Sequence, residues 1–290
     1  MAENLSACSQ EMLQPRMEWN LVLKLAKNIS KETGDAGIDP HQVVFVGGFA
    51  TFLHSKQELG NRVVNFWRGT HDVDIVITDR GGTGKILAGL QKAGQYQFVD
   101  SAPSHFVNKQ TWSLQNKPQG FLSEEARITD VDVYFLNKQS GNVIFNDRQI
   151  SPYPAKFITE PVKMNSFSYG LNKAQVAIPS IVDCLIMKLD IIKFSDKLRE
   201  KDKNDILSLL MVAERKGINE TDLLRKTLDN VNGRGVMKKV SKELEGVFTG
   251  LIQCYKHGNI SPDRKIFLPS EDYVKRSRDR LTSVHLGNIR

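Results

Sequence analysis

The sequence predicts an α+β fold: a small mixed β-sheet flanked by helices, followed by a helical C-terminal half. Three observations carry that prediction. Two segments, Asp72-Val-Asp74-Ile-Val-Ile77 and Thr129-Asp130-Val-Asp132-Val-Tyr-Phe135, alternate carboxylates with β-branched or aromatic residues, as half-buried strands do. A short apolar run at residues 43–46 ends in Gly47-Gly48 and leads into helical spacing. Beyond Pro179 the alternation stops, and successive stretches carry the 3.6-residue period instead.

Taken in order, residues 11–33 read as a helix with Leu21, Leu25 and Ile29 on one face, broken between Gly34 and Pro40. Residues 43–46 read as a buried strand and 49–59 as a helix. An irregular stretch around Gly60-Asn61 precedes the first acidic strand, and 79–83 is a glycine-rich turn before a helix at 86–93. Residues 96–99 and Phe106 suit a sheet edge. The second acidic strand covers 128–136, and 143–145 follows a polar turn. Pro152, Pro154 and Pro161 mark an irregular crossing, with short strands expected at 162–167 and 175–178. Ser180 is suited to cap a helix reaching about residue 198, and further helices are expected at 202–216, 221–230 and 236–255. The charged tail from Ser261 reads as exposed. The natural division is a core with its N-terminal helix over 1–178 and a helical domain over 179–290.

Composition bounds the function. The chain of 290 residues is long enough for a large domain or two smaller ones, and its 40% hydrophobic and 25% charged content is that of an ordinary globular protein. No apolar run reaches membrane-spanning length, and the N-terminus lacks the basic-then-apolar order of a secretory leader, so the expected setting is cytoplasmic, with no membrane partner. Cys8, Cys184 and Cys254 are odd in number and widely spaced, which favours neither a disulfide framework nor zinc. A net charge of +7 suits a polyanionic partner.

The chemistry lies in the acidic strands. Residues i and i+2 of a strand point the same way, so Asp72 and Asp74 project together, as do Asp130 and Asp132. Carboxylates that close repel one another and invite a divalent cation. Oxygen-only ligands suit Mg2+, which keeps waters and shares its shell with substrate phosphates. The Gly47-Gly48 turn at a helix start adds free N–H groups where a phosphate is favoured.

The set Val46-Gly47-Gly48, Arg68-x-Thr70-x-Asp72-Val-Asp74 and a further acid on a later strand resembles the nucleotidyltransferase superfamily that includes DNA polymerase β. It is most similar to the AbiEii-type and minimal nucleotidyltransferases of toxin–antitoxin and phage-defence systems. Lys188 and the run Arg199-Glu-Lys201-Asp202-Lys-Asn-Asp205 extend the likeness across residues 43 to 212. The resemblance implies that Asp72, Asp74 and Asp132 are catalytic and hold two Mg2+ ions, with Asp130 able to substitute for Asp132 or to support it. It implies nucleotide-binding roles for Gly47, Gly48, Arg68, Thr70, Lys188, Arg199 and Lys201. Asp202 and Asp205 also read as helix-start acids that complement the helix dipole. The chain departs from the polymerase-like pattern in having Gly48 where serine is usual. Its spacing of 23 residues between Gly48 and Asp72 is also longer than the family's, the excess around residues 58–65 reading as a loop insertion.

Three other signals are set aside. Gly81-Gly-Thr-Gly84-Lys85 imitates a P-loop, but Ile86 replaces the hydroxyl residue and Asp79 the first glycine. Arg280 and His285 have the spacing of a ribonuclease motif, in a tail with no evident core. His71 is read as a structural strand-start residue.

The implied activity is Mg2+-dependent transfer of an NMP from an NTP to an acceptor hydroxyl, with release of pyrophosphate. The acceptor is an RNA 3′ end, a protein side chain or a small molecule, and the basic C-terminal half tilts the choice to RNA. For a toxin, an antitoxin protein is the expected partner. The alternative is a non-catalytic nucleotide- or RNA-binding protein that keeps the fold.

Overall fold

The computed structural model describes residues 16–63, 72–77, 82–92, 96–101, 109–116, 128–135, 143–145, 148–150, 160–169, 172–193, 197–231 and 234–287. The fold is α+β, as the sequence predicts. The chain divides into two compact units, and the division falls inside one helix. Gln14–Leu53 and Gly69–Ser180 form a sheet unit. Met1–Leu13, His54–Arg68 and Ile181–Arg290 form a helical unit.

The sheet unit opens with α1 (Arg16–Asp35), then a 3-10 turn at Pro40–Gln42, β1 (Val43–Val46) and α2 (Gly47–Leu59), whose second half belongs to the other unit. There follow β2 (Asp72–Ile77), α3 (Gly82–Lys92), β3 (Tyr96–Ser101), β4 (Lys109–Asn116), β5 (Ile128–Phe135), β6 (Val143–Phe145), β7 (Arg148–Ile150), β8 (Lys163–Tyr169) and β9 (Asn172–Ile178). Seven strands make one mixed sheet in the order β3-β4-β5-β2-β1-β9-β8, while β6 and β7 pair apart. β1 pairs antiparallel with β2 and parallel with β9, and β2 pairs parallel with β5. All four residues of β1 are buried, which is why an unbroken apolar run occupies that place.

Two strands escape the sequence pattern. β4 carries only Trp112 and Leu114 as large apolar residues among polar ones, a weak alternation that neighbouring strands stabilise. β7 is a three-residue strand with no signal of its own. α3 begins at Gly82, inside the stretch expected to be a turn; packing against α1 overrides the poor helical propensity of its glycines. A Cβ on Gly89 would collide with the Glu32 carboxylate of α1, so glycine there permits the close approach.

The helical unit contains α4 (Ile181–Asp190), a 3-10 turn at Ile191–Lys193, α5 (Glu200–Arg215), α6 (Glu220–Asn230), α7 (Arg234–Lys256), the single turn α8 (Pro262–Lys265) and α9 (Glu271–Gly287). α4 ends at Asp190, short of the expected residue 198, where the chain tightens into the 3-10 turn. On α7, Val240, Leu244, Phe248, Leu251 and Ile252 are buried on one face. The tail expected to be exposed is folded: α9 packs against α6 and α7 with Tyr273, Val274, Ser277 and Leu281 buried. Its hydrophobic stripe is sparse among charges, so the sequence conceals it. Polar ties complete the attachment. Ser270 caps α9 through Tyr273 N–H and also donates to Glu214, and Arg276 Nε donates to Glu220 at 2.8 Å. Among the described residues, no helix is long and apolar enough to cross a membrane.

Candidate active site

The sheet unit brings the acids of the two alternating strands together. β2 and β5 run parallel in a register that sets Asp72 opposite Asp130 and Asp74 opposite Asp132. Paired strands lie about 4.8 Å apart, so aspartates that are 58 residues apart in sequence hold neighbouring register positions. Along β2 the exposure alternates at the start, with Asp72 and Asp74 half-buried and Val73 and Ile75 buried; Val76 and Ile77 are then buried too. Asp72 and Asp74 therefore occupy the less buried end of β2. Asp132 is buried, at 7% exposure. Among the described residues, no three His, Cys, Asp or Glu side chains converge as a ready-made metal cage. The acids are a row on adjacent strands rather than a closed set.

β1 supplies the third side. Val46 pairs with Asp74, which places Gly47 beside that carboxylate. Gly47 has φ +64, the left-handed region, and a Cβ on it would collide with the Asp74 carboxyl group. Glycine is thus required twice over, by backbone and by space. Thr51 Oγ1 donates to the Gly47 carbonyl at 3.2 Å, closing the first turn of α2. Phe49 holds this turn in place: its ring packs edge-on to Phe45 of β1 at 5.6 Å and to Phe167 of β8 at 5.8 Å. Gly48 is buried in the same turn.

The predicted residues of the helical unit form a second group. Lys188 of α4 is buried, with Nζ 2.6 Å from Asp205 Oδ2 and 3.3 Å from Asp202 Oδ1. Arg199 precedes α5 and donates to Asp202 through Nε at 2.5 Å and Nη2 at 3.2 Å. Both aspartates are fully buried. Asp202 stands in the first turn of α5, as read from the sequence, but Asp205 stands a turn later on the same face and faces Lys188. Lys201 is exposed. Buried Cys184 lies among these charges, and burial, reinforced by the Asp183 charge, pushes its thiol well above the ordinary range, so it is no nucleophile.

Arg68, Thr70 and His71 lie outside the described residues. The row also has members that the sequence did not flag: across β4–β5, Thr111 stands opposite Asp132 and Ser113 opposite Asp130. Only the strand pairing reveals these hydroxyl residues, because nothing in Thr-Trp-Ser-Leu marks a site.

No protein-family model matches the chain, and no curated protein matches it. Among solved structures, the chain is similar to JHP933 from Helicobacter pylori, at 14% identity and a TM-score of 0.45, over 92% of this chain and 94% of that one. It is also similar to a candidate nucleotidyltransferase of H. pylori, at 12% identity and a TM-score of 0.44, over 90% and 95% of the two chains. Likeness at that level does not bear on chemistry. The site's own residues must carry the reading.

Proposed function

We propose that this protein is a nucleotidyltransferase that moves an NMP from an NTP to an acceptor hydroxyl and releases pyrophosphate. One observation carries the reading: β2 and β5 set Asp74 beside Asp132, and Asp72 beside Asp130, next to a glycine whose missing side chain leaves room for the Asp74 carboxylate. Packing like charges together opposes folding, so an arrangement of this kind is better explained by what it binds.

The chemistry of the donors, though not a closed cage, suits Mg2+, whose remaining shell is water and substrate phosphate. Asp72, Asp74 and Asp132 offer hard carboxylate oxygens from two adjacent strands, with no soft sulfur or imidazole among them. When bound there, Mg2+ supplies charge neutralisation for the triphosphate and lowers the pKa of the attacking hydroxyl. The protein's part is positioning. The rigid pair β2–β5 holds the carboxylates at a fixed spacing, Gly47 lets the chain pass close beside Asp74, and the Phe49 cluster locks the start of α2 against the sheet.

The acceptor we favour is RNA. Lys and Arg outnumber Asp and Glu by 22 to 16 over residues 181–290, so nearly all the net charge of the chain lies in its helical half. A toxin role with an antitoxin partner, and a cytoplasmic setting, accord with this chemistry. The test is incubation with each labelled NTP, MgCl2 and total RNA or lysate. Label should pass to RNA, and should be lost when EDTA is added or when Asp74 or Asp132 is changed to Asn. Transfer that survives those substitutions rules out the assignment.

A further inference from the structure

One helix of the helical unit carries charges that oppose it. α4, α5, α6 and α9 each have an acid in the first turn, where it complements the positive end of the helix dipole. α7 has none there. Its first half instead holds Arg234, Lys238, Lys239 and Lys242, with no acid before Glu243. Arg234, Lys238 and Lys242 stand four residues apart on one row of the helix surface, and like charges at that spacing repel. Elsewhere in the unit, cations at the surface are set against a carboxylate one turn away: Lys203 with Glu200, Arg225 with Asp222 and Lys275 with Glu271. For Lys238 the residues four positions away on either side are themselves basic.

The same row continues as Gly246 and Gly250. A Cβ on either would meet nothing within 4 Å, so no described neighbour requires the missing side chain, while glycine inside a helix weakens it. From Lys238 to Gln253 the exposed residues of α7 are Lys238, Lys239, Lys242, Glu245, Gly246 and Gln253, with no aromatic or large apolar side chain among them. A protein partner needs an apolar core to its interface, and a site that reads bases needs rings for them to stack on. A row of flexible ammonium groups leading to a level strip suits neither. It suits a sugar–phosphate backbone, whose charge repeats along the strand. Leu198 N–H donates to Glu243 Oε2 at 3.1 Å, which seats this face beside the loop leading into α5, where Lys197 is also exposed.

We propose that the solvent face of α7 is the surface on which this protein holds the backbone of an RNA, with Lys238 and Lys242 as its principal contacts. The backbone belongs either to a single strand or to the duplex part of a folded RNA. Only in taking that RNA for the acceptor does the inference rest on the nucleotidyltransferase reading, and its test does not require transfer to occur.

The experiment follows fluorescence anisotropy of the full-length protein with three probes across a salt series: an unstructured RNA, an RNA hairpin and polyglutamate. Changing Lys238 and Lys242 together to Gln should weaken RNA binding by about tenfold or more and reduce the slope of log affinity against log salt by about one unit per lysine. The melting temperature should stay level or rise, because repulsion along the row is relieved. Gly246→Glu supplies a second readout. It replaces a poor helix former and sets a carboxylate one turn from Lys242, so it should raise the melting temperature while weakening RNA binding. A loss confined to the hairpin assigns the duplex as source, and one confined to the unstructured RNA assigns the strand. Wild-type affinity and salt slope in the double variant overturn the inference, as does a wild-type protein that binds neither RNA. Polyglutamate bound as tightly as RNA, with the same dependence on the two lysines, also overturns it and makes the face a docking site for an acidic protein. A Gly246→Glu protein that melts higher with RNA affinity intact overturns the extension of the surface past Lys242. Lysine-dependent RNA binding without any detectable transfer leaves the inference standing and removes the proposed activity instead.

Discussion

The two acidic groups of this protein use the same residue type in opposite ways. In the sheet unit, Asp72, Asp74, Asp130 and Asp132 occupy a two-by-two block of register positions, acid residue opposite acid residue. In the helical unit, Asp202 and Asp205 are more deeply buried, Lys188 touches both, and Arg199 forks onto Asp202. Between Lys188 and the two buried aspartates, opposite charges satisfy one another where water is absent, which is a structural role. Like charges at neighbouring register positions repel, so their juxtaposition points to function more than depth of burial does.

That contrast makes the largest prediction asymmetric. Asp74→Asn or Asp132→Asn should lower transfer by about a thousandfold or more, while denaturation shows unchanged or slightly raised stability because repulsion is relieved. Asp132→Ala should hurt more than Asp130→Ala. The reverse order would mean that the register position opposite Asp72, not that opposite Asp74, carries the chemistry.

Lys188→Ala should show the opposite balance. It leaves two fully buried carboxylates short of a cation, and chemical denaturation should report a loss of about 3–5 kcal/mol. The resemblance gives Lys188 a nucleotide-binding role; its burial against Asp202 and Asp205 adds a structural one, so its removal should cost stability. A variant of wild-type stability would break the comparison, since the helical cluster would then not be structural.

Gly47→Ala lies between the two. The substitution forces a side chain into the left-handed region, at about 1–2 kcal/mol, and pushes it against the Asp74 carboxylate. Stability should fall modestly and transfer sharply. Equal losses of both would assign Gly47 to folding alone.

The smallest effect concerns the end of the chain. Ser270→Ala removes the cap of α9 and its bond to Glu214, and should cost about 1 kcal/mol in thermal denaturation without altering transfer. A change in activity would tie α9 to the site.

Much of this could be read without coordinates, and the reason is local. A strand's period of two and a helix's period of 3.6 are written in consecutive residues, so β1, β2, β5, α5, α6 and α7 are legible to within a few positions. The side-by-side projection of Asp72 with Asp74 follows from the same period. What the sequence could not contain is lateral order. That β5 lies beside β2, parallel and with Asp132 level with Asp74, depends on which strands pair and in which register. The weak alternation of β4 and the sparse stripe of α9 became elements only because neighbours buried them. Likewise, periodicity puts Lys188 on an amphipathic helix but cannot say that the face it occupies meets Asp202 and Asp205. Local pattern determined which residues form strands and helices and which acids share a face. Tertiary packing alone decided which charges meet, because the free energy of bringing them together depends on a distance that sequence separation does not set.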